Sequence, residues 1–129
     1  MKPKSIIITA GIFGVFAVIM GAMGAHALKE ILSPATLQSY LTGARYNMYH
    51  ALALLAIAAN APHLNTKWMK NGVLLIMFGT VIFSGSIYLL ATSTITGISL
   101  KAVLGPATPI GGLLLITGWI SIAIAAFRK

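Results

Sequence analysis

Four apolar stretches, at about 5–28, 43–61, 69–92 and 104–127, constrain this chain more than any other feature. About 20 apolar residues cover a hydrocarbon core about 30 Å thick, so each stretch is read as a membrane-crossing helix. Composition agrees: 58% of the 129 residues are hydrophobic, 8% are charged and the mean hydropathy is +0.94. A water-soluble chain of this length has no core large enough to hide so much apolar surface. The expected fold is an all-α integral membrane four-helix bundle formed by residues 1–129 as one domain.

The connections are polar. Ala25-His26-Ala27 resembles a signal-peptidase site, but the apolar stretch before it is longer than a signal peptide's usual core and three further spans follow. Between the first two spans, Ser33-Pro34 reads as a helix start with proline at its first position, which suggests a short interfacial helix over about 32–41. Pro62 ends the second span, and His63 to Trp68 form a polar turn with an aromatic at headgroup level. Pro106 and Pro109 flank the start of the fourth span or, if that helix begins earlier, free a carbonyl within it.

A formal net charge of +8 suggests nucleic acid in a soluble protein. Here the basic residues sit at the ends of apolar stretches, a pattern that sets membrane orientation and draws anionic lipid, and nucleic acid is not an expected partner. Lys2, Lys4, Lys67, Lys70, Arg128 and Lys129 fall on one side; Lys29, Arg45 and Lys101 fall on the other. The richer side is expected to be cytoplasmic, with both termini inside.

Small residues recur at helical spacing: Ala10, Gly14, Ala17, Gly21 and Gly24; Ala44, Ala51 and Ala58; Gly72, Gly79, Ser86 and Ser93; Ala107, Gly111, Gly118, Ser121 and Ala125. In lipid, close backbone approach replaces the hydrophobic effect as the force joining helices, so tight glycine and alanine seams are expected. The seven-residue recurrence favours a left-handed bundle.

Ionisable groups in spans are costly by a few kcal/mol, about 2.5–3.5 at a helix centre, and here they cluster. His26 and Glu30 stand four apart, as do Arg45 with Tyr49 and Tyr46 with His50. With Ser84, Ser86, Tyr88 and Thr108 they are expected to converge in the outer half of the bundle, with Glu30 pairing Arg45. The sharper reading is a pocket for a lipid headgroup or small ligand at Arg45; the plainer one is anchoring and cross-helix bonding.

Chemistry is scarce. Glu30 is the single acidic side chain, which removes any mechanism needing two carboxylates, and there is no cysteine. His26, Glu30 and His50 have metal-ligand types without a short-spaced motif, no serine has a nucleophile elbow, and no catalytic residue, metal or cofactor is assigned.

Four runs then bear a resemblance: Gly21-Ala22-Met23-Gly24-Ala25-His26-Ala27-Leu28-Lys29; Thr42-Gly43-Ala44-Arg45-Tyr46-Asn47-Met48-Tyr49-His50 and the leucine-rich run after it; Phe83-Ser84-Gly85-Ser86-Ile87-Tyr88; and Thr108-Pro109-Ile110-Gly111-Gly112 with Gly118-Trp119. Together, and in this order, they resemble domain-of-unknown-function family 423. The resemblance implies a multi-pass protein of the bacterial inner membrane, with animal relatives and no assigned activity. Ala44 and Asn47 depart from positions where relatives often carry Val and Gln, which argues against reading Asn47 as a site. The residues favour a non-enzymatic membrane module, accessory or self-associating, whose partners are lipid, a second copy or another membrane protein. A small-solute transporter or channel component is the alternative; it is weakened by inner halves that are apolar apart from Asn60, Thr117 and Ser121.

Overall fold

A computed structural model describes residues 1–129. The chain is helical throughout, with four long helices, α1 (Pro3–Ala25), α2 (Pro34–Asn60), α3 (Thr66–Ala91) and α5 (Lys101–Phe127). A single turn, α4 (Ser93–Thr96), precedes the last of these, and 3₁₀ turns at Leu28–Glu30 and Ala61–His63 join the first three. By length and hydropathy α1, α3 and α5 can each cross a membrane. The second long helix, α2, falls short of that hydropathy because Gln38, Arg45, Asn47 and His50 lie along it.

Local chemistry sets the ends. Pro3 opens α1, where a missing amide is tolerated. Ser33 caps α2, its hydroxyl accepting from the Thr36 amide at 3.2 Å, with Pro34 at the first position. Asn65 caps α3 in the same way by accepting from the Trp68 amide at 3.3 Å. Gly97 closes the turn of α4 in the left-handed conformation, φ 71°.

Two expectations change here. The segment at 32–41 is not a separate interfacial helix: α2 runs unbroken for 27 residues from Pro34. No breaker follows the Ser33 cap, and Tyr40, only 1% exposed, anchors the first turns by donating to the Met20 carbonyl at 2.8 Å. The last helix also begins before the expected residue 104, at Lys101, so Pro106 and Pro109 lie inside it and the Ala102 and Gly105 carbonyls lose their intrahelical donors.

Helix α3 packs most extensively on α5, α1 on α2, and α2 on α3. One antiparallel register governs α3 on α5. A Cβ on Gly72 would strike Ile122, on Gly79 Leu115, on Gly111 Phe83 and on Gly118 Ile76, each within 3.0 Å. Large side chains of each helix thus lie over the glycines of the other, spaced seven residues apart, and the backbones approach closely.

On α1 the packed strip is Ile6, Ala10, Ala17 and Gly24, all buried against neighbouring elements. Gly14 and Gly21, placed by spacing on the same seam, have no atom of another helix within 4 Å of a would-be Cβ. Helix α1 has its main partner in α2 alone, so one narrow heptad strip is covered, and residues one position on from Phe13 and Met20 turn about 100° away from it. A single apolar core unites Ile6 and Ala10, Leu54 and Ile57, Val73 and Ile76, and Leu115 and Ala125 from the four long helices.

Candidate functional site

Three polar clusters occupy the helix interfaces. The first links α1, α2 and α3. Asn47, buried on α2, donates through Nδ2 to the Phe13 carbonyl at 2.8 Å and accepts from the Tyr88 hydroxyl at 3.2 Å. The Tyr88 and Tyr40 rings lie 5.3 Å apart, and Gly43 makes room for Tyr88, since a Cβ there would stand 3.0 Å from that ring. Ser84 donates to the Gly43 carbonyl at 2.8 Å. Asn47 is thus the hub of the largest network, although its departure from the residue that relatives often carry argued against reading it as a site. Its position on the face shared by Tyr40, Gly43, Ala51 and Leu54 was the available signal.

The second cluster lies between α2 and α5. His50 Nδ1 is 2.7 Å from the Tyr46 carbonyl, and its Nε2 is 3.1 Å from the Trp119 indole nitrogen. A carbonyl only accepts and an indole N–H only donates, so His50 carries its proton on Nδ1 and is neutral. The Tyr46 ring stacks on Phe83 at 5.0 Å and lies 5.7 Å from Tyr49.

The third is the pair Ser86 and Thr108, whose hydroxyls are 2.6 Å apart across α3 and α5. Beside it opens a cleft of about 720 Å³ between the start of α2, the end of α3 and the start of α5. Thr36, Ser39, Ser93, Ser99 and Thr108 bring hydroxyls to its wall and Lys101 its one cation; Ile87, Leu90 and Leu104 make apolar surface.

The expected residues therefore divide. Ser84 and Tyr88 meet α2, Ser86 meets Thr108, His50 turns towards Trp119 of α5, and the Tyr46 ring meets Phe83 of α3. His26, Glu30 and Arg45 stand apart from all three clusters. Helix α1 ends at Ala25, so His26 is its cap (φ −120°, ψ −85°) and Glu30 lies in a separate 3₁₀ turn; the two do not share a helix face. Glu30 and Arg45 are exposed, and neither side chain makes a hydrogen bond. The Glu30–Arg45 pair does not form, because Glu30 lies in the turn beyond the helix ends whereas Arg45 sits about 17 Å along α2.

At the opposite end, α5 closes over the α2–α3 turn. The Asn65 amide donates to the Ala125 carbonyl at 2.8 Å, Ser121 donates to the Trp68 carbonyl at 2.9 Å, and Lys129 donates to the Pro62 carbonyl at 2.7 Å. The Arg128 guanidinium lies 5.7 Å from the centre of the Trp68 ring.

Apolar helices of span length, with polar groups inside the helix interfaces, define a small helical membrane protein. The family described as "Protein of unknown function (DUF423)" matches residues 20–112. The chain belongs to that family. It is 39% identical over 126 residues to the UPF0382 membrane protein YwdK of Bacillus subtilis, covering 97% of this chain and 98% of that one. A UPF0382 membrane protein of Haemophilus influenzae is 38% identical over 129 residues, covering 100% and 98%, and one of Schizosaccharomyces pombe is 40% identical over 116 residues, covering 89% and 95%. No solved structure matches.

Proposed function

We propose that the protein is a non-enzymatic four-pass membrane module, with both termini in the cytoplasm, that acts by associating with another membrane component. The observation that carries this reading is the state of its interior. Every buried side-chain nitrogen and oxygen has a hydrogen-bond partner within the chain. Many of those partners are backbone carbonyls, as for Asn47, Ser84, Thr80 and Ser121. Groups spent in this way hold helices together, whereas a catalytic or conducting centre keeps donors and acceptors free for its substrate.

The basic residues support the orientation. Lys2, Lys4, Lys67, Lys70, Arg128 and Lys129 gather at the end where α1 begins and α5 finishes, which on the positive-inside rule faces the cytoplasm of a bacterial cell. The cleft beside Lys101 then opens outward. Its mixture of hydroxyls, one ammonium and aliphatic wall suits a phospholipid headgroup and the first part of its chains.

Native mass spectrometry of the protein released in mild detergent tests the reading. It predicts phospholipid or protein adducts, with the lipid adduct reduced in Lys101→Ala. A chain that emerges empty and alone, and that carries small solutes across reconstituted vesicles, would favour the transport reading, for which the outward cleft is the supporting feature.

A further inference from the structure

Hydrogen bonds fix the height of each α2 residue against α1. Tyr40 meets Met20 and Asn47 meets Phe13, seven residues apart on each helix, so one antiparallel register holds over that length. Arg45, two positions before Asn47, is therefore level with Val15, at the centre of Pro3–Ala25. From Lys4 to His26, the polar ends of α1, is about 33 Å at 1.5 Å per residue, so Arg45 stands about 16 Å from either end.

That residue is exposed, and so is much of the strip around it. Gln38, Thr42, Arg45 and Tyr49 follow one another at spacings of four, three and four along α2. Tyr49 is 54% and Tyr46 40% exposed, and neither hydroxyl has a partner in the chain. The Thr42 hydroxyl is satisfied by the Gln38 carbonyl. Lipid cannot cover such a strip at this depth without leaving a guanidinium unpaired in hydrocarbon, and an arginine stem is too short to carry the charge out of the core.

Charge decides what can cover it. Glu30, the one acidic side chain of residues 1–129, lies beyond the end of α1, so this part of a second copy offers no side-chain carboxylate near the level of Arg45. A symmetric pairing through this face would also set Arg45 against its own counterpart.

We propose that the Gln38–Tyr49 strip of α2 docks a transmembrane helix of a different protein that carries an aspartate or glutamate near mid-bilayer, its carboxylate paired with Arg45 and flanked by the Tyr46 and Tyr49 hydroxyls. The inference rests on the membrane-module reading and specifies its partner. In a water-free setting a carboxylate accepts two guanidinium N–H donors side by side, which fixes the height of the two helices as well as their partnership.

The test uses the full-length chain in living cells with the photoreactive residue benzoylphenylalanine at position 49. Ultraviolet cross-linking should yield an adduct with one membrane protein whose linked helix holds a carboxylate within its span. Arg45→Leu should lower the adduct at least tenfold and Arg45→Lys, which keeps the charge but loses the paired donors, should lower it by less, and both variants should unfold at the parent temperature, since the Arg45 side chain makes no hydrogen bond in the chain. The proposal is overturned by an adduct with lipid or a second copy alone, by a linked helix without a carboxylate, by a yield indifferent to Arg45→Leu, or by no adduct. None of those outcomes touches the four-pass reading, which stands or falls on which face of the membrane each turn occupies.

Discussion

Gly72 of α3 and Gly118 of α5 face each other so closely that a methyl group on Gly72 would lie 3.1 Å from the Gly118 carbonyl oxygen, and one on Gly118 3.3 Å from that of Gly72. Ile122 and Ile76 flank this contact, so a side chain at either glycine must displace both a backbone and a packed aliphatic. Overpacking of this kind costs about 1–3 kcal/mol. Gly118→Val is expected to lower the thermal unfolding midpoint in detergent clearly. Gly14→Ala and Gly21→Ala should leave it unchanged or raise it, because those positions are open and alanine favours helix over glycine by about 1 kcal/mol.

Asn47 joins Phe13 on one side to Tyr88 on the other, so its two hydrogen bonds are coupled through one amide. Interhelical hydrogen bonds in membranes are worth about 0.6 kcal/mol on average and up to about 1.7. Asn47→Leu should destabilise more than Tyr88→Phe, and the double variant should lose less than the two single losses combined. Unfolding in a denaturing detergent series measures all three; strict additivity would show that the two side chains act independently.

His50 is held as the neutral Nδ1–H tautomer by the Tyr46 carbonyl and the Trp119 indole. Nitrogen-15 NMR of ring-labelled protein should give His50 one protonated and one unprotonated ring nitrogen, with Nε2 the unprotonated one. In Trp119→Phe the Nε2 resonance should shift as its donor is lost, while His26 and His63, both exposed, stay as they were.

Much of the fold could be read from the chain because membrane helices announce themselves by length and ends. Ser33-Pro34 marks a helix start, and the seven-residue spacing of Gly72 with Gly79 and Gly111 with Gly118 marks surfaces that meet. The continuity of α2 was hidden, because Gln38, Ser39 and Thr42 look like an interfacial segment until Tyr40 is seen bonded to Met20. Spacing alone could not separate Ala17 from Gly21 on α1: both suit a seam, and only the position of α2 decides which is covered. Glu30 and Arg45 attract each other on paper as the lone acid and an unpaired base, yet the chain leaves the helix at His26 and the two stay apart.

Helix α2 is the long helix whose composition alone does not mark it as a span. The chain has no cysteine, so single cysteines can be placed without background. Ile31→Cys and His63→Cys stand in the exposed turns before and after α2, and their reaction with a membrane-impermeant maleimide can be compared in intact spheroplasts and inverted vesicles. Labelling of position 31 only from outside and position 63 only from the cytoplasmic face is the predicted result. Labelling of both from one side would contradict a membrane-crossing α2 and the four-pass arrangement with it.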